Sequence, residues 1–297
     1  MKTIYMKHPI SHLCIHPDPC VLALGFFDGV HAGHQRLLEK AKQIAKQHQL
    51  TFSVMTFFPH PKEVLSPDRE PMTYLTPLSV KEARFKELGV DQLFVVEFTP
   101  EFARLSAEDF VEQYIQALNC KHVVAGFDYH YGAKGSGNMK TLSKSGSEIF
   151  TVTTMPKVEH EGEKVSSTAI RHLLANGLVT AIPKLLGDFY EVQGEVKKRS
   201  LFYKSHQFLK VVVDKSYRMP KLGVYHIQIE LDGYVYEGIC QQMTVSDSHT
   251  SLLIQLKHCF VDTQNKKVRI KWIESWYEQT NEAYGISEYT YKDEWVI

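Results

Sequence analysis

The run LALGFFDGVHAGHQRLL, Leu22 to Leu38, decides how the first half of the chain is read. An apolar segment meets a glycine–aspartate turn, then His31 and His34, then a helix-like sequence. VLALGFF has the continuous apolar character of a strand buried on both faces. HQRLLEKAKQIAKQHQ places Leu37, Leu38, Ala41, Ile44 and Ala45 at the spacing of one helix face. A strand that runs into a helix puts its loop at the carboxyl edge of an open α/β sheet, where ligands bind. Gly25 and Gly29 let backbone approach a ligand, and the helix start offers unpaired N–H groups and partial positive charge. His31 and His34, at i and i+3, project into the same space. Together they form an anion site that needs no lysine. Two other readings stand beside it: histidines that only cap or pack, and a zinc pair whose third ligand would have to be Asp28.

Working outward, strand and helix patterns alternate to about residue 180. TFSVMTF (51–57) reads as a strand, PLSVKEARFKELGV as a helix closed by Gly89, and QLFVVEF as a strand. SAEDFVEQYIQALN reads as a helix capped by Ser106, with Glu108 and Asp109 at the positive end of its dipole. KHVVAG is a further strand, and SSTAIRHLLANG a short helix ended by Gly177. Such alternation predicts a parallel sheet flanked by helices. After LLGDFY (185–190) the texture becomes strand-like throughout: FLKVVVD, GVYHIQIELDG, YVYEGICQQMTV, SLLIQLKHCFV and KVRIKWIE. Hairpin signals stand at Asp232-Gly233 and Gln264-Asn265. The expected architecture is α/β: a Rossmann-like domain over 1–182, then a small antiparallel β-barrel over 183–297. The polar and aromatic end, WYEQTNEAYGISEYTYKDEW, reads as a short helix and tail.

Bulk composition narrows the partners. The 297 residues suffice for two domains, and 34 basic side chains balance 34 acidic ones. A formal charge of zero supplies no global field for nucleic acid or an anionic membrane, so any anion must be held by local groups. The amino-terminal stretch has no signal-peptide h-region, and no apolar run approaches the roughly 18 to 20 residues of a membrane span. Cys14, Cys20, Cys120, Cys240 and Cys259 are scattered without a CxxC, which suits reduced thiols of a cytoplasmic protein.

Three more stretches bear on the site. TFFPHP (56–61) ends a strand in a proline-bracketed histidine. VVAGFDYHYGAKGSGN (123–138) ends another in a long loop of glycines and aromatics, suited to a planar ligand or to an ordinary surface loop. SSTAIR (166–171) sets three hydroxyls at a helix start with Arg171 one turn in, which suits a polyphosphate or a plain N-cap.

GFFDGVHAGH, TFFPHP, the GFDYHYG loop with Gly137-Asn138, and VSSTAIRHLLANGLVTAIPKLLG occur in this order. Together they resemble the bacterial bifunctional riboflavin kinase/FMN adenylyltransferase family, from about residue 20 to 190. The resemblance implies a nucleotidyltransferase that adenylylates FMN with ATP and Mg²⁺, giving FAD and pyrophosphate. It implies catalytic roles for His31, His34 and Arg171, and ATP binding by Gly25, Phe26, Asp28, Gly29, Ser166, Ser167 and Thr168. Phe58, Pro59, His60, Asp128, Tyr131 and Asn138 would lie around the flavin and its phosphate. No metal ligand is identified. Partners are small molecules, not nucleic acid or membrane, and a weak homo-oligomer is compatible with the sequence.

The chain departs from the family in its second half. The family's kinase barrel carries a Pro-Thr-Ala-Asn segment after its first strand and a catalytic glutamate in a later one. Here the corresponding region reads KKRSLFYKSHQFLKVVV, and the strand SLLIQLKHCF holds no acid. Pro183 and Pro220 are each followed by lysine. The expectation is an FMN adenylyltransferase without riboflavin kinase activity. The alternatives are a bifunctional enzyme with a divergent kinase site, its acid at Glu230 or Glu237, a transferase for another phosphorylated acceptor, and a catalytically silent flavin-binding regulator.

Overall fold

A computed structural model describes residues 1–10, 18–66, 72–146, 148–199, 206–245, 249–257 and 263–276. The chain divides into two compact units, Met1–Ala169 and Ile170–Ile297. The first runs β1 (Lys2–Met6), β2 (Cys20–Leu24), α1 (Ala32–His48), β3 (Thr51–Phe58), α2 (Pro61–Leu65), α3 (Leu78–Glu87) and β4 (Gln92–Glu97). It continues through α4 (Ala107–Phe110), β5 (Cys120–Gly126), β6 (His130–Tyr131), β7 (Gly137–Asn138), α5 (Met139–Ser145), β8 (Thr151–Met155), β9 (Glu159–His160) and β10 (Glu163–Lys164). Helix α6 (Ser167–Asn176) spans the division.

Six strands form one parallel sheet in the order β1-β4-β3-β2-β5-β8. β2 is central and every residue of CVLAL is buried. Its alternating side chains feed two cores: Leu22 and Leu24 join Met55, Phe94 and Tyr114 on one face, and Val21 and Ala23 join Leu38, Val54 and Phe85 on the other. The five apolar positions expected on α1 are all buried. Gln49, at φ 55°, ends that helix in the left-handed conformation.

The helix expected from Ser106 begins as foreseen, the Asp109 amide donating to Ser106 Oγ at 2.9 Å. After one α-turn, however, it widens into a π-helix over Val111–Gln116. The Phe110 and Tyr114 rings then lie nearly parallel, 5.6 Å apart, inside the core. The loop after β5 is also more ordered than its glycines suggest, because β6 and β7 pair as a short hairpin.

In the second unit α7 (Ile182–Leu186) ends at Gly187, φ 84°. There follow β11 (Tyr190–Arg199), β12 (His206–Asp214), β13 (Val224–Leu231), β14 (Tyr234–Val245), β15 (His249–Lys257) and β16 (Lys267–Ser275). They close an antiparallel barrel in the order β11-β12-β15-β14-β13-β16. The Asp232-Gly233 hairpin is present, with φ 51° and 81°, joining β13 to β14. Gln264-Asn265 is not a hairpin between its flanking strands: β15 pairs with β12 and β14, whereas β16 pairs with β11 and β13. The turn's backbone is taken up by β11, through Asn265 N–H to Val196 O (2.8 Å) and Val196 N–H to Lys266 O (2.9 Å). It therefore helps close the barrel. The polar, aromatic end expected as helix and tail lies outside the described residues beyond Trp276.

Candidate active site

The loops after β2, β3 and β5 leave the carboxyl edge of three adjacent strands. From β2 the chain crosses to β3 and β4 on one side, and β5 lies on the other, so the edge of β2 is the switch point at which open α/β sheets bind ligands. His31 through His34, Phe58 through His60 and Phe127 through Asn138 are thereby brought to one edge.

The turn from Gly25 to Val30 is tightly wound. Phe27, Gly29 and Val30 have φ of 57°, 84° and 43°, a conformation costly for a β-branched residue and one that clusters at ligand sites. A Cβ on Gly25 would meet the Phe27 ring at 2.9 Å, so glycine is required there. Phe27 turns inward, edge-on to Phe85 (5.6 Å) and to His34 (5.2 Å).

His31 is the N-cap of α1, its Nδ1 accepting the His34 amide at 3.4 Å. The two imidazoles stack at 3.7 Å, 15° from parallel. Burial pushes the His31 pKa down to about 4, with Lys164 adding to the shift, and holds His34 well below the ordinary range, helped by His31 and Lys81. Both rings are neutral near pH 7. Since His31 Nδ1 accepts, its proton sits on Nε2, which makes that ring a hydrogen-bond donor rather than a cation. His34 Nδ1 is buried and has no hydrogen-bond partner among the described residues. No acidic residue occupies the first turn of α1, whose amino-terminal amides include those without intrahelical acceptors.

Asp28 is buried; its Oδ1 accepts the Thr76 amide at 3.1 Å, and its carbonyl accepts the Ser167 hydroxyl at 2.7 Å. The SSTAIR segment is thus tied to the turn through Ser167. Ser166 Oγ accepts the Ala169 amide at 3.2 Å, and Thr168 is exposed. Arg171 lies further along α6, half-buried, in the second unit. Among the described residues no three His, Cys, Asp or Glu side chains gather as a metal-holding cluster.

On the β3 side, Phe58 is exposed, and His60 caps α2 through Nδ1, which accepts the Lys62 amide at 3.0 Å. The His60 ring packs edge-on to Phe26 at 4.3 Å, and Tyr74 approaches both Phe26 and Phe58. On the β5 side, exposed Asp128 pairs with Lys164, whose ammonium also lies 4.9 Å from the Phe127 ring centroid. Tyr131 is buried against Phe110, its hydroxyl 3.2 Å from Thr141 Oγ1, and Asn138 caps α5. These two residues shape the loop from within.

Lys81 was not foreseen. It is 2% exposed, and its Nζ donates to Phe26 O at 2.7 Å while lying 4.1 Å from the Phe26 ring centroid. Its position relative to Leu78 and Phe85 on the inner side of α3 is the signal that could have found it. Tyr74, Thr76 and Lys164 were likewise missed.

A sequence profile of the FAD synthetase family matches residues 15–169. A bifunctional riboflavin kinase/FMN adenylyltransferase of Listeria monocytogenes is 39% identical over 281 residues, spanning 92% of this chain and 88% of its own. The chain belongs to the bacterial riboflavin kinase/FMN adenylyltransferase family. It is a nucleotidyltransferase of that family. The Bacillus subtilis protein of the same description is 41% identical over 245 residues, covering 81% of this chain and 77% of its own. A Listeria monocytogenes protein described as FAD synthetase is 32% identical over 194 residues, covering 63% and 78%. A crystal structure described as a macrolide-efflux protein from Streptococcus pneumoniae shares the fold, with TM-score 0.79 and 30% identity over 93% of this chain and 99% of its own. Among the described residues no helix is long and apolar enough to cross a membrane. The turn, the histidine pair and the loops after β3 and β5 all lie within the matched FAD synthetase segment.

Proposed function

We propose that this chain transfers AMP from ATP to FMN, giving FAD and pyrophosphate, and that it carries out no riboflavin kinase reaction. The observation that carries the first part is the stacked, neutral pair His31 and His34 at the start of α1, on the switch-point edge of a family nucleotidyltransferase sheet. An oxygen of the FMN phosphate attacks the α-phosphorus of ATP, and the bond to the bridging oxygen of the β-phosphate breaks as pyrophosphate leaves. No covalent enzyme intermediate is required, so catalysis rests on alignment and on donors aimed at the charge that develops. A neutral imidazole still carries one N–H, so each ring can donate a hydrogen bond to the phosphates without a buried charge of its own. Ser166, Ser167, Thr168 and Arg171 serve the triphosphate, and Phe58, Pro59, His60, Asp128, Tyr131 and Asn138 shape the flavin side. Mg²⁺ would enter with the nucleotide, where phosphate and water oxygens would supply most of its ligands and the ion would offset phosphate charge. Residues 1–182 are assigned to this chemistry and 183–297 to the barrel.

The second part departs from the bifunctional descriptions of the relatives, and two kinds of observation support it. The Pro-Thr pair is missing from the sequence, and β15 carries no acid; its Leu252, Ile254 and Leu256 are fully buried. Glu230 is engaged by Arg269, and Glu237 is exposed on β14. The barrel then serves as a scaffold or an interaction surface.

Two parallel reactions separated by chromatography test this. FMN with ATP and Mg²⁺ should yield FAD, and riboflavin with ATP and Mg²⁺ should yield no FMN. FMN formed at a rate comparable to FAD would sink the kinase-loss claim. Flavin binding without pyrophosphate release would sink the transferase claim.

A further inference from the structure

We infer that Lys81 is a positioning residue of the nucleotide turn: its buried ammonium fastens the Phe26 carbonyl and balances Asp28, fixing the backbone from which the His31/His34 pair starts. The inference rests on the adenylyltransferase reading of that site.

A lysine almost never lies fully buried unless it is paired or has a task, because taking an ammonium out of water is costly. Lys81 is 2% exposed. Its surroundings are specific. Nζ donates to Phe26 O at 2.7 Å, and the same carbonyl accepts Thr56 Oγ1 at 2.9 Å. The Phe26 ring stands beneath the ammonium at 4.1 Å, a cation–π contact in a desolvated place. Burial lowers the pKa of Lys81 to about 8, and the Asp28 carboxylate is the charge that opposes the shift. Lys81 in turn acts on His34, helping to keep that ring neutral.

The geometry gives the charge a purpose. Between Phe26 and Val30 the chain passes through three positive φ values, two of them at non-glycine residues. Such a turn persists only when its surroundings over-determine it. Lys81 grips the residue before the strained segment, and Thr76 and Ser167 grip Asp28 within it. Lys81 is the only one of these anchors that carries a charge. Because the histidines are neutral, it also supplies fixed positive charge next to the turn where phosphates would sit. A displacement of about 1 Å at such a site costs on the order of 10²-fold in rate.

The test uses the full-length protein with Lys81→Met, Lys81→Gln and Lys81→Arg. FAD formation and calorimetric ATP binding are measured at a temperature where each variant's circular dichroism matches the parent's, so that lost folding does not enter. Lys81→Met and Lys81→Gln should lower kcat by about 10²-fold and weaken ATP binding by about tenfold, and Lys81→Arg should recover part of both. Glutamine keeps a donor for Phe26 O without the charge, so its failure would assign the effect to the ammonium. Folded Met and Gln variants with kcat and ATP affinity within threefold of the parent would overturn the inference. Should methionine prevent folding, the glutamine variant carries the same two outcomes. If the parent itself makes no FAD, the adenylyltransferase reading fails, and the ATP-binding comparison still decides the role of Lys81.

Discussion

The imidazoles of His31 and His34 lie 3.7 Å apart and 15° from parallel, with His31 Nδ1 accepting the His34 amide. Two cations could not share that arrangement in a buried place, so the stack itself argues for neutral rings. The consequence for stability has a definite sign. The folded pKa of His31, about 4, lies below the ordinary value of 6.5. Between those values the unfolded chain binds a proton that the folded chain refuses, so stability falls as pH drops through the window and is intact above it. For His31 alone the full effect is on the order of 3 kcal/mol, with His34 acting in the same direction. Urea unfolding at pH 7.5 and pH 5.5 checks the loss. His31 and His34 resonances that titrate near 6.5 in the folded protein would contradict it.

Gly33 is there to make room for that stack. A Cβ at this position would lie 3.2 Å from two atoms of the His31 ring, tighter than ordinary contact. Gly33→Ala should therefore displace the ring while leaving α1 intact, since alanine is the better helix former. The expected result is a fall in kcat of about 10- to 100-fold with little loss of stability. Steady-state FAD formation and thermal unfolding, read together, check both halves. His34→Ala, which removes a donor outright, should cost about 10² or more.

Much of this fold is readable from sequence because its central strands are buried on both faces. CVLAL and the helix face Leu37, Leu38, Ala41, Ile44 and Ala45 announce themselves by composition alone. The edge strands do not: β1 and β8 are partly exposed along most of their length, so neither has an apolar run to find. Gln264-Asn265 carries hairpin residues but sits at a crossing, since local turn chemistry does not specify which strands will pair. At the site, the motif marked where His31 and His34 would gather. Their neutrality comes from burial, which one sequence does not display. Lys81 was hidden for the opposite reason, as a charged residue in a helix rich in charges reads as solvated until the fold places it inside.

The barrel makes its own stability prediction. Trp272 is fully buried, edge-on to Tyr225 at 5.1 Å, and stands opposite Tyr190 of β11 and Ile227 of β13. It thus fills the interior where the last strand closes the barrel between its two neighbours. Trp272→Ala should cost about 3–5 kcal/mol, the usual range for removing a large core aromatic. Urea denaturation followed by circular dichroism measures it.

Glu230 and Glu237 decide whether a divergent kinase site survives. Glu230, on β13, pairs across the sheet with Arg269 of β16 on the barrel's outer face, and Glu237 is exposed on β14. A catalytic base must sit within hydrogen-bond reach of the hydroxyl it deprotonates, in a place that excludes water. Glu230 lines a cavity of about 400 Å³ together with Arg269, which engages its carboxylate, and Glu237 is open to solvent. Glu230→Gln and Glu237→Gln should each change stability by less than about 1 kcal/mol, as exposed charges do. Neither should alter the flavin products if, as proposed, the parent makes no FMN from riboflavin for them to abolish. The decisive measurement is the riboflavin reaction run on parent and both variants side by side. FMN formed by the parent and lost in one variant would locate the kinase acid at that residue and restore a second active site to the barrel.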